Sequence, residues 1–419
     1  MIAVLLAGCA APPAPVAQPP VVLEPGVPWE VPARDPITTL KTLPPVAGGL
    51  DPVALAVFDA YAFSERGTAG ERDGQRTDAV VVLRHGRVVY ERYARDTTAE
   101  TPLLTWSVSK SFGATVYGAA VHEGLIDINA PVCTTYPPMC DGGKEHVRYT
   151  DLLRMSSGID WQETYETSPV FSSVMAMLYT HGSDDMAAYA ASRPLTAAPG
   201  TRWTYSSGDS NILSAALRAP LGDRYADYPF TAVADRIGMS TARYERDASG
   251  THVASSYLYA SARDVARWGQ LMLDDGTWNG ERILAPGWVR YLSTLAPAFH
   301  TTPVGVEHHL SNPGAQWYVN KGDPARGLAP PWPALPDDAF GASGHWGKFL
   351  WVIPSWDMVV VRMGDDRVYG CGYDVQPKCL PDREAAFTKP YFLELLAAAV
   401  KPSPPPPPTP PPAVPEEAP

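Results

Sequence analysis

The sequence predicts an α+β fold: an antiparallel sheet built from both ends of the chain, with flanking helices and an inserted, mainly helical region. Two hairpin signals and the stretch between them carry this reading. Near the start, residues 78–93 hold two β-branched runs separated by His85-Gly86, a two-residue turn signal. Near the end, the apolar runs Lys348–Ile353 and Met358–Met363 are joined by Pro354-Ser355-Trp356-Asp357. The segment between the hairpins, about residues 101–250, lacks strand alternation and reads as helical. Strands, then helices, then strands with a closing helix is an α+β order rather than an alternating β/α one.

The elements follow in order. Ser107–Glu123 is rich in Ala, Val and aromatics and stops at Gly124, a suitable residue just past a helix end. Thr150–Met155 reads as a short capped helix, and Asp209–Leu217 and Ala262–Asp274 as further helices. A last helix covers about Arg383–Val400, and Pro402 stops it. No internal repeat is present.

Of 419 residues, 45 % are hydrophobic and 19 % charged, which excludes a wholly disordered chain. The net charge of −12, with no basic run, argues against a nucleic-acid partner. Of 45 prolines, residues 1–50 and residues 401–419 hold 11 each. Both ends therefore read as extended segments outside the fold: a tether over 9–45 and a tail over 402–419, leaving 46–401 as the folded unit.

The strongest chemical signal is Thr105-Trp106-Ser107-Val108-Ser109-Lys110. Ser107 and Lys110, three apart at the start of a helix, share one face. A serine hydroxyl is a weak nucleophile and needs a base. Lysine serves only if burial lowers its pKa by several units, and Trp106, Val108 and Phe112 offer an apolar setting. The bland alternative is a capping serine and a solvated lysine. Further along, Pro199–Asp209 places Tyr205 and Ser207 on a loop entering a helix, where a tyrosine can share a proton with serine or lysine. A third stretch, Gly341–Phe349, is glycine-rich and leads into a strand; it contains His345, Trp346, Gly347 and Lys348. Gly347 lets a substrate approach the backbone closely.

Taken in this order, the three stretches resemble the motif set of serine hydrolases related to penicillin-binding proteins and class C β-lactamases. The similarity is greatest to the branch of esterases and 6-aminohexanoate-dimer hydrolases, with SxxK, Tyr-x-(Asn/Ser) and His-x-Gly. The blocks Tyr149–Ile159 and Tyr259–Gly269 also resemble that family, over about residues 75–400. The resemblance implies a β-lactamase/transpeptidase-like fold with no cofactor and no metal. It implies Ser107 as the acyl-accepting nucleophile, Lys110 as its base and Tyr205 as proton relay. The Ser107 and Lys348 N–H groups would form the oxyanion hole, with His345, Trp346, Gly347 and Ser207 beside the substrate. Ser207 and His345 replace the asparagine and lysine of the β-lactamases. These departures favour hydrolysis of esters or small amides. A D,D-peptidase or weak β-lactamase, and a non-catalytic envelope binding protein on the same scaffold, remain as alternatives. Gly341-Ala342-Ser343-Gly344-His345 misses GxSxG by its last residue, and HExxH, GxGxxG and GxxxxGK[ST] do not occur.

The opening apolar run ends in Leu6-Ala7-Gly8-Cys9, which resembles a bacterial lipobox. That resemblance implies a signal segment over 1–8, lipidation of Cys9 and a place in the cell envelope, with membrane contact only through the lipid. No Lys or Arg precedes the run, a departure from the secretory pattern. Four further cysteines form two sequence-local pairs, Cys133 with Cys140 and Cys371 with Cys379. Outside the cytosol such pairs suggest two loop-stapling disulfides, with other connectivities open.

Overall fold

The computed structural model describes residues 13–64, 76–165, 172–302, 312–366 and 389–400. The first hairpin forms as its sequence indicates. Strands β1 (Thr77–Arg84) and β2 (Arg87–Tyr93) meet at His85 and Gly86, both with positive φ, as a tight turn matched to strand twist requires. A short sheet follows from β3 (Leu103–Leu104), β4 (Arg243–Tyr244) and β5 (Leu258–Ala260), with β5 in the centre. β6 (Thr277–Trp278) and β7 (Glu281–Arg282) form a separate hairpin. β8 (Asn312–Pro313), β9 (Tyr318–Val319), β10 (Phe340–Gly344), β11 (Lys348–Ile353) and β12 (Met358–Gly364) complete the main sheet. Its order is β2-β1-β12-β11-β10-β9-β8, antiparallel at every pairing, so β1 lies against β12 and the two ends of the chain close one sheet.

Helices α1 (Pro52–Ala62), α2 (Val108–His122), α3 (Tyr149–Leu153), α4 (Ser173–Tyr179), α5 (Met186–Ser192), α6 (Ser207–Ala216), α7 (Arg218–Leu221), α8 (Ala262–Leu273), α9 (Trp288–Leu292), α10 (Pro297–Thr301) and α11 (Lys389–Ala399) flank it. Alternation along the strands divides them between two layers. Val80, Val82, Phe349, Trp351 and Val360 pack with Phe58 of α1 and Phe392 and Leu396 of α11. Ala79, Val81, Leu350, Val359 and Val361 face α2 and α8. Gly269 of α8 allows close approach: a Cβ there would stand 2.8 Å from Leu350 Cδ1. α1 had no counterpart in the sequence reading; Asp51 caps it, accepting from the Val53 and Ala54 N–H groups, and Pro52 starts it.

The proline-rich N-terminal segment is extended, as its composition indicates, but from Pro19 onward, whose carbonyl accepts from Arg148, it is fastened to the body. Val21 N donates to Asn129 Oδ1 (2.7 Å) and Asn129 Nδ2 donates back to Val21 O (3.0 Å). Trp29 donates to Leu273 O (3.1 Å) and stacks on Phe340, and Arg34 pairs with Asp274 and Asp357. The segment thus bridges the helical region and the sheet. Cys133 and Cys140 form a disulfide, with Cα atoms 4.9 Å apart. Cys9, Cys371 and Cys379 lie outside the described residues, as do residues 383–388 of the expected last helix. Among the described residues no helix is long and apolar enough to cross a membrane.

Candidate active site

The turn before α2 is held from two sides. β3 pairs with β5, and Thr105 donates both its N–H (2.9 Å) and its hydroxyl (2.8 Å) to Leu258 O. Ser109 Oγ, 3.0 Å from Thr105 Oγ1, also accepts from Leu258 N (3.0 Å). Trp106, held at φ 50°, then turns the chain sharply into α2. Ser107 is the N-cap residue, yet its hydroxyl caps none of the helix N–H groups. It accepts instead from Lys110 Nζ at 3.0 Å. Lys110 is 2 % exposed, so neither half of the bland alternative holds. Burial pulls the Lys110 ammonium down to about 8, against the opposing pull of the Glu163 carboxylate.

Tyr205 closes the third side. Gly200, at φ 76°, donates to Ser156 O (2.7 Å), and Thr204 N donates to Met155 O (2.9 Å), which lays the 199–205 loop beside α3. Lys110 Nζ sits 4.9 Å from the centre of the Tyr205 ring, and Tyr205 lines the same cleft as Ser107. Burial and the neighbouring Tyr318, Glu163 and Tyr165 push the phenol pKa well up, and the nearby Ser107 hydroxyl opposes this. A narrow cleft is lined by Ser107, Lys110, Tyr205, Gln316, Tyr318 and Ser343.

The other expected residues lie around this centre in different roles. Ser207 is fully buried; its N–H (3.0 Å) and hydroxyl (2.5 Å) both donate to Glu163. Trp161 and Tyr165 donate to the same carboxylate. His345 and Trp346 form an aromatic rim with Trp106, and the His345 ring stacks on Tyr165 with centroids 5.1 Å apart. Burial, helped by Lys348, lowers the His345 pKa to about 4, so the imidazole is neutral at pH 7.

Lys348 directs its side chain away from the cleft: it is buried and donates to Gly364 O. Burial lowers its pKa to about 8, with Asp365, Asp78 and Asp366 opposing. Its backbone lies opposite Gly344 in the β10–β11 ladder. β10 shows which backbone faces the cleft. Asn320 N donates to Ala339 O (2.8 Å), so position 339 and every second residue after it direct N–H and C=O toward β9. β9 pairs with β10 at Phe340 and Gly341. Ser343 is the next residue of that parity, and it lines the cleft.

The 345–347 turn is anchored from behind. Arg362 and Asp366, both fully buried, form a two-bond ion pair (2.7 and 2.8 Å). Arg362 also donates to Gly347 O (2.7 Å), and Asp366 N donates to Trp346 O (3.1 Å). Gly347 has φ 82°, and a Cβ there would run into this ion pair. Gly347→Ala is expected to cost about 2–4 kcal/mol, combining left-handed strain with the clash. Urea unfolding measures it, and a loss below about 1 kcal/mol would show that the pair yields easily.

Glu163, Ser255 and Ser343 were not singled out as site residues by the sequence reading. Ser255 contributes its main-chain carbonyl, which accepts from Lys110 Nζ (2.8 Å) and leaves no side-chain signature. Ser343 lies inside the glycine-rich stretch, where strand parity was the missing information.

Residues 65–367 match the Beta-lactamase family. The chain is 29 % identical over 302 residues to the 6-aminohexanoate-dimer hydrolase of Paenarthrobacter ureafaciens, covering 68 % of this chain and 72 % of that protein. It is 28 % identical over 222 residues to esterase EstB of Burkholderia gladioli, covering 48 % of this chain and 54 % of EstB. The octameric penicillin-binding protein homologue from Pyrococcus abyssi has a similar fold, with TM-score 0.57 at 18 % identity, covering 83 % of this chain and 76 % of that one. With the family match spanning most of its length and the same two-ended antiparallel sheet, the chain belongs to the beta-lactamase family of serine hydrolases.

Proposed function

We propose that this protein cleaves ester or small amide bonds through an acyl-enzyme on Ser107. One observation carries the reading: a buried amine, drawn down to about 8, stands 3.0 Å from a serine hydroxyl that is not used as a helix cap. Lys110 takes the Ser107 proton as Oγ attacks the acyl carbon. Tyr205, whose phenol is protonated at rest, gives its proton to the departing oxygen or nitrogen and takes back the one that Lys110 removed from Ser107. It then assists the water that releases the acid. The oxyanion is received by the Ser107 N–H at the start of α2. The second donor in this proposal is the Ser343 N–H on the cleft side of β10, in place of the Lys348 N–H. The 6-aminohexanoate-dimer hydrolase and esterase relatives support the substrate class.

The test is intact mass after exposure to a fluorophosphonate, with wild type beside Ser107→Ala. One adduct on wild type and none on the variant is the expected result. A folded wild type that takes no adduct would count against the hydrolase reading. We also propose an envelope lipoprotein, supported by the lipobox-like Leu6–Cys9 and by the Cys133–Cys140 disulfide, which suits an oxidising compartment. Mass analysis of the N-terminal peptide after expression in a bacterial host checks for lipid on Cys9.

A further inference from the structure

A neutral amine carries two N–H bonds and one lone pair. For Lys110 to act as a base, that lone pair must point at the Ser107 hydroxyl. The amine's orientation is set by its other polar contact, the N–H donated to Ser255 O at 2.8 Å. Ser255 therefore has to stay in place. It lies between His252 and Tyr257, in a turn closed by Ser256 N and Tyr257 N, which both donate to Val253 O at 3.1 Å. The Ser255 N–H points outward from that turn to Asn211 Oδ1 (3.0 Å), and Asn211 Nδ2 donates to Ser255 Oγ (3.3 Å). Asn211 is fully buried on α6, one turn beyond Ser207. Its amide grips both faces of one residue whose carbonyl meets the lysine.

We infer that Asn211 is a positioning residue: by clamping Ser255 it fixes the carbonyl that aims the Lys110 lone pair at Ser107. The inference rests on the proposed role of Lys110 as base. The clamp ties α6, the helix that follows Tyr205, to the turn that precedes β5, whose strand also holds Thr105. Nucleophile, base and phenol are thereby set relative to one another through a single buried amide.

Several charged or titratable groups face Lys110. Glu163 approaches from the 161–165 segment and Tyr205 from the loop before α6. Tyr244 and His252 lie across an internal cavity that Lys110 also lines. None of these contacts Asn211 in the bonds described above, so an Asn211 variant leaves that set of groups intact.

The test is the pH dependence of kcat/KM, with kcat and KM separated, for wild type, Asn211→Leu, Asn211→Asp and Ser255→Ala. The substrate is a p-nitrophenyl ester. Asn211→Leu is expected to lower kcat about 10²-fold through misorientation of the amine, with KM little changed, and to move the acid limb to lower pH because the ammonium loses a fixed acceptor. Asn211→Asp keeps an acceptor for the Ser255 N–H and adds negative charge near the amine. Its acid limb is expected about one pH unit higher. Ser255→Ala keeps the peptide group but removes the Oγ end of the clamp, and is expected to lower kcat about tenfold, short of the Asn211→Leu loss. A folded Asn211→Leu enzyme with wild-type kcat overturns the proposal. So does a loss of kcat that leaves the acid limb in place, which is what general loosening would produce. If Asn211→Leu does not fold, Asn211→Asp decides: a folded enzyme with wild-type kcat and an unmoved acid limb overturns the proposal. Absence of a fluorophosphonate adduct on wild-type Ser107 would instead remove the base itself, an outcome distinct from an unaffected Asn211 variant of an active enzyme.

Discussion

Lys110→Met is expected to lower kcat/KM by about 10³-fold or more, because the amine placed to deprotonate Ser107 is gone. The same substitution reads out the energetic cost of keeping the lysine buried. In the unfolded chain the amine titrates near 10.5, and in the fold near 8. The folded-state value is the lower one, so between those limits the unfolded chain holds a proton that the fold has released. Stability of wild type therefore rises with pH across that window, by about 1.4 kcal/mol per unit and about 3 kcal/mol in all. Below pH 8 the full cost is present, and above 10.5 it is absent. Methionine carries no such term. Loss of the donor to Ser255 O shifts the variant by a pH-independent amount of about 1–3 kcal/mol. Lys348 has a similarly lowered pKa but is common to both proteins and cancels. Urea unfolding of both proteins from pH 7 to 10.5 gives the difference. Wild type gaining on the variant over pH 8–10.5 is the expected result. Two parallel curves would mean that Lys110 is not held at a lowered pKa, and the general-base reading would lose its support.

Local chemistry made much of the fold legible in the sequence. His85-Gly86 specifies a turn type, and the turn forms with both residues at positive φ. The runs that became β11 and β12 are apolar on both faces because helices cover both sides of the sheet. Ser107, Lys110 and Tyr205 were found because their residue types and spacing are chemically specific, and the fold brings all three to one cleft. Long-range register was not legible. Whether Ser343 or Lys348 presents its N–H to the cleft depends on parity along β10, which a single bond from Asn320 sets. Lys348 carries a charge, and a lysine side chain ordinarily stays in solvent. The Asp365, Asp78 and Asp366 carboxylates around it, together with Gly364 O, make burial tolerable instead. The N-terminal segment misled through composition. Proline content indicates an extended chain, but whether that chain is docked depends on partners such as Asn129 and Asp274, more than 100 residues away in sequence.

Tyr205→Phe separates the proposed proton donor from the base. The ring stays, and with it the face that lies 4.9 Å from Lys110 Nζ, so packing around the amine is preserved. Only the hydroxyl, in the cleft that Ser107 also lines, is removed. With its pKa pushed well up, the phenol remains protonated wherever Lys110 is already deprotonated, which fits the proposed division of lysine as base and tyrosine as acid. The loss must then scale with how much help the leaving group needs. An alkyl amine cannot depart without a proton, so hydrolysis of a small alkyl amide is expected to fall about 10³-fold. A p-nitrophenolate leaves readily without one, and acylation by that ester is expected to fall about tenfold or less. The measurement is kcat/KM for both substrates on both proteins, with the acid limb followed in parallel. The limb is expected to stay near pH 8, because Lys110 keeps its surroundings. Equal losses on the two substrates would assign Tyr205 to binding or packing. A large displacement of the limb would make Tyr205, rather than Lys110, the group whose ionisation starts the reaction.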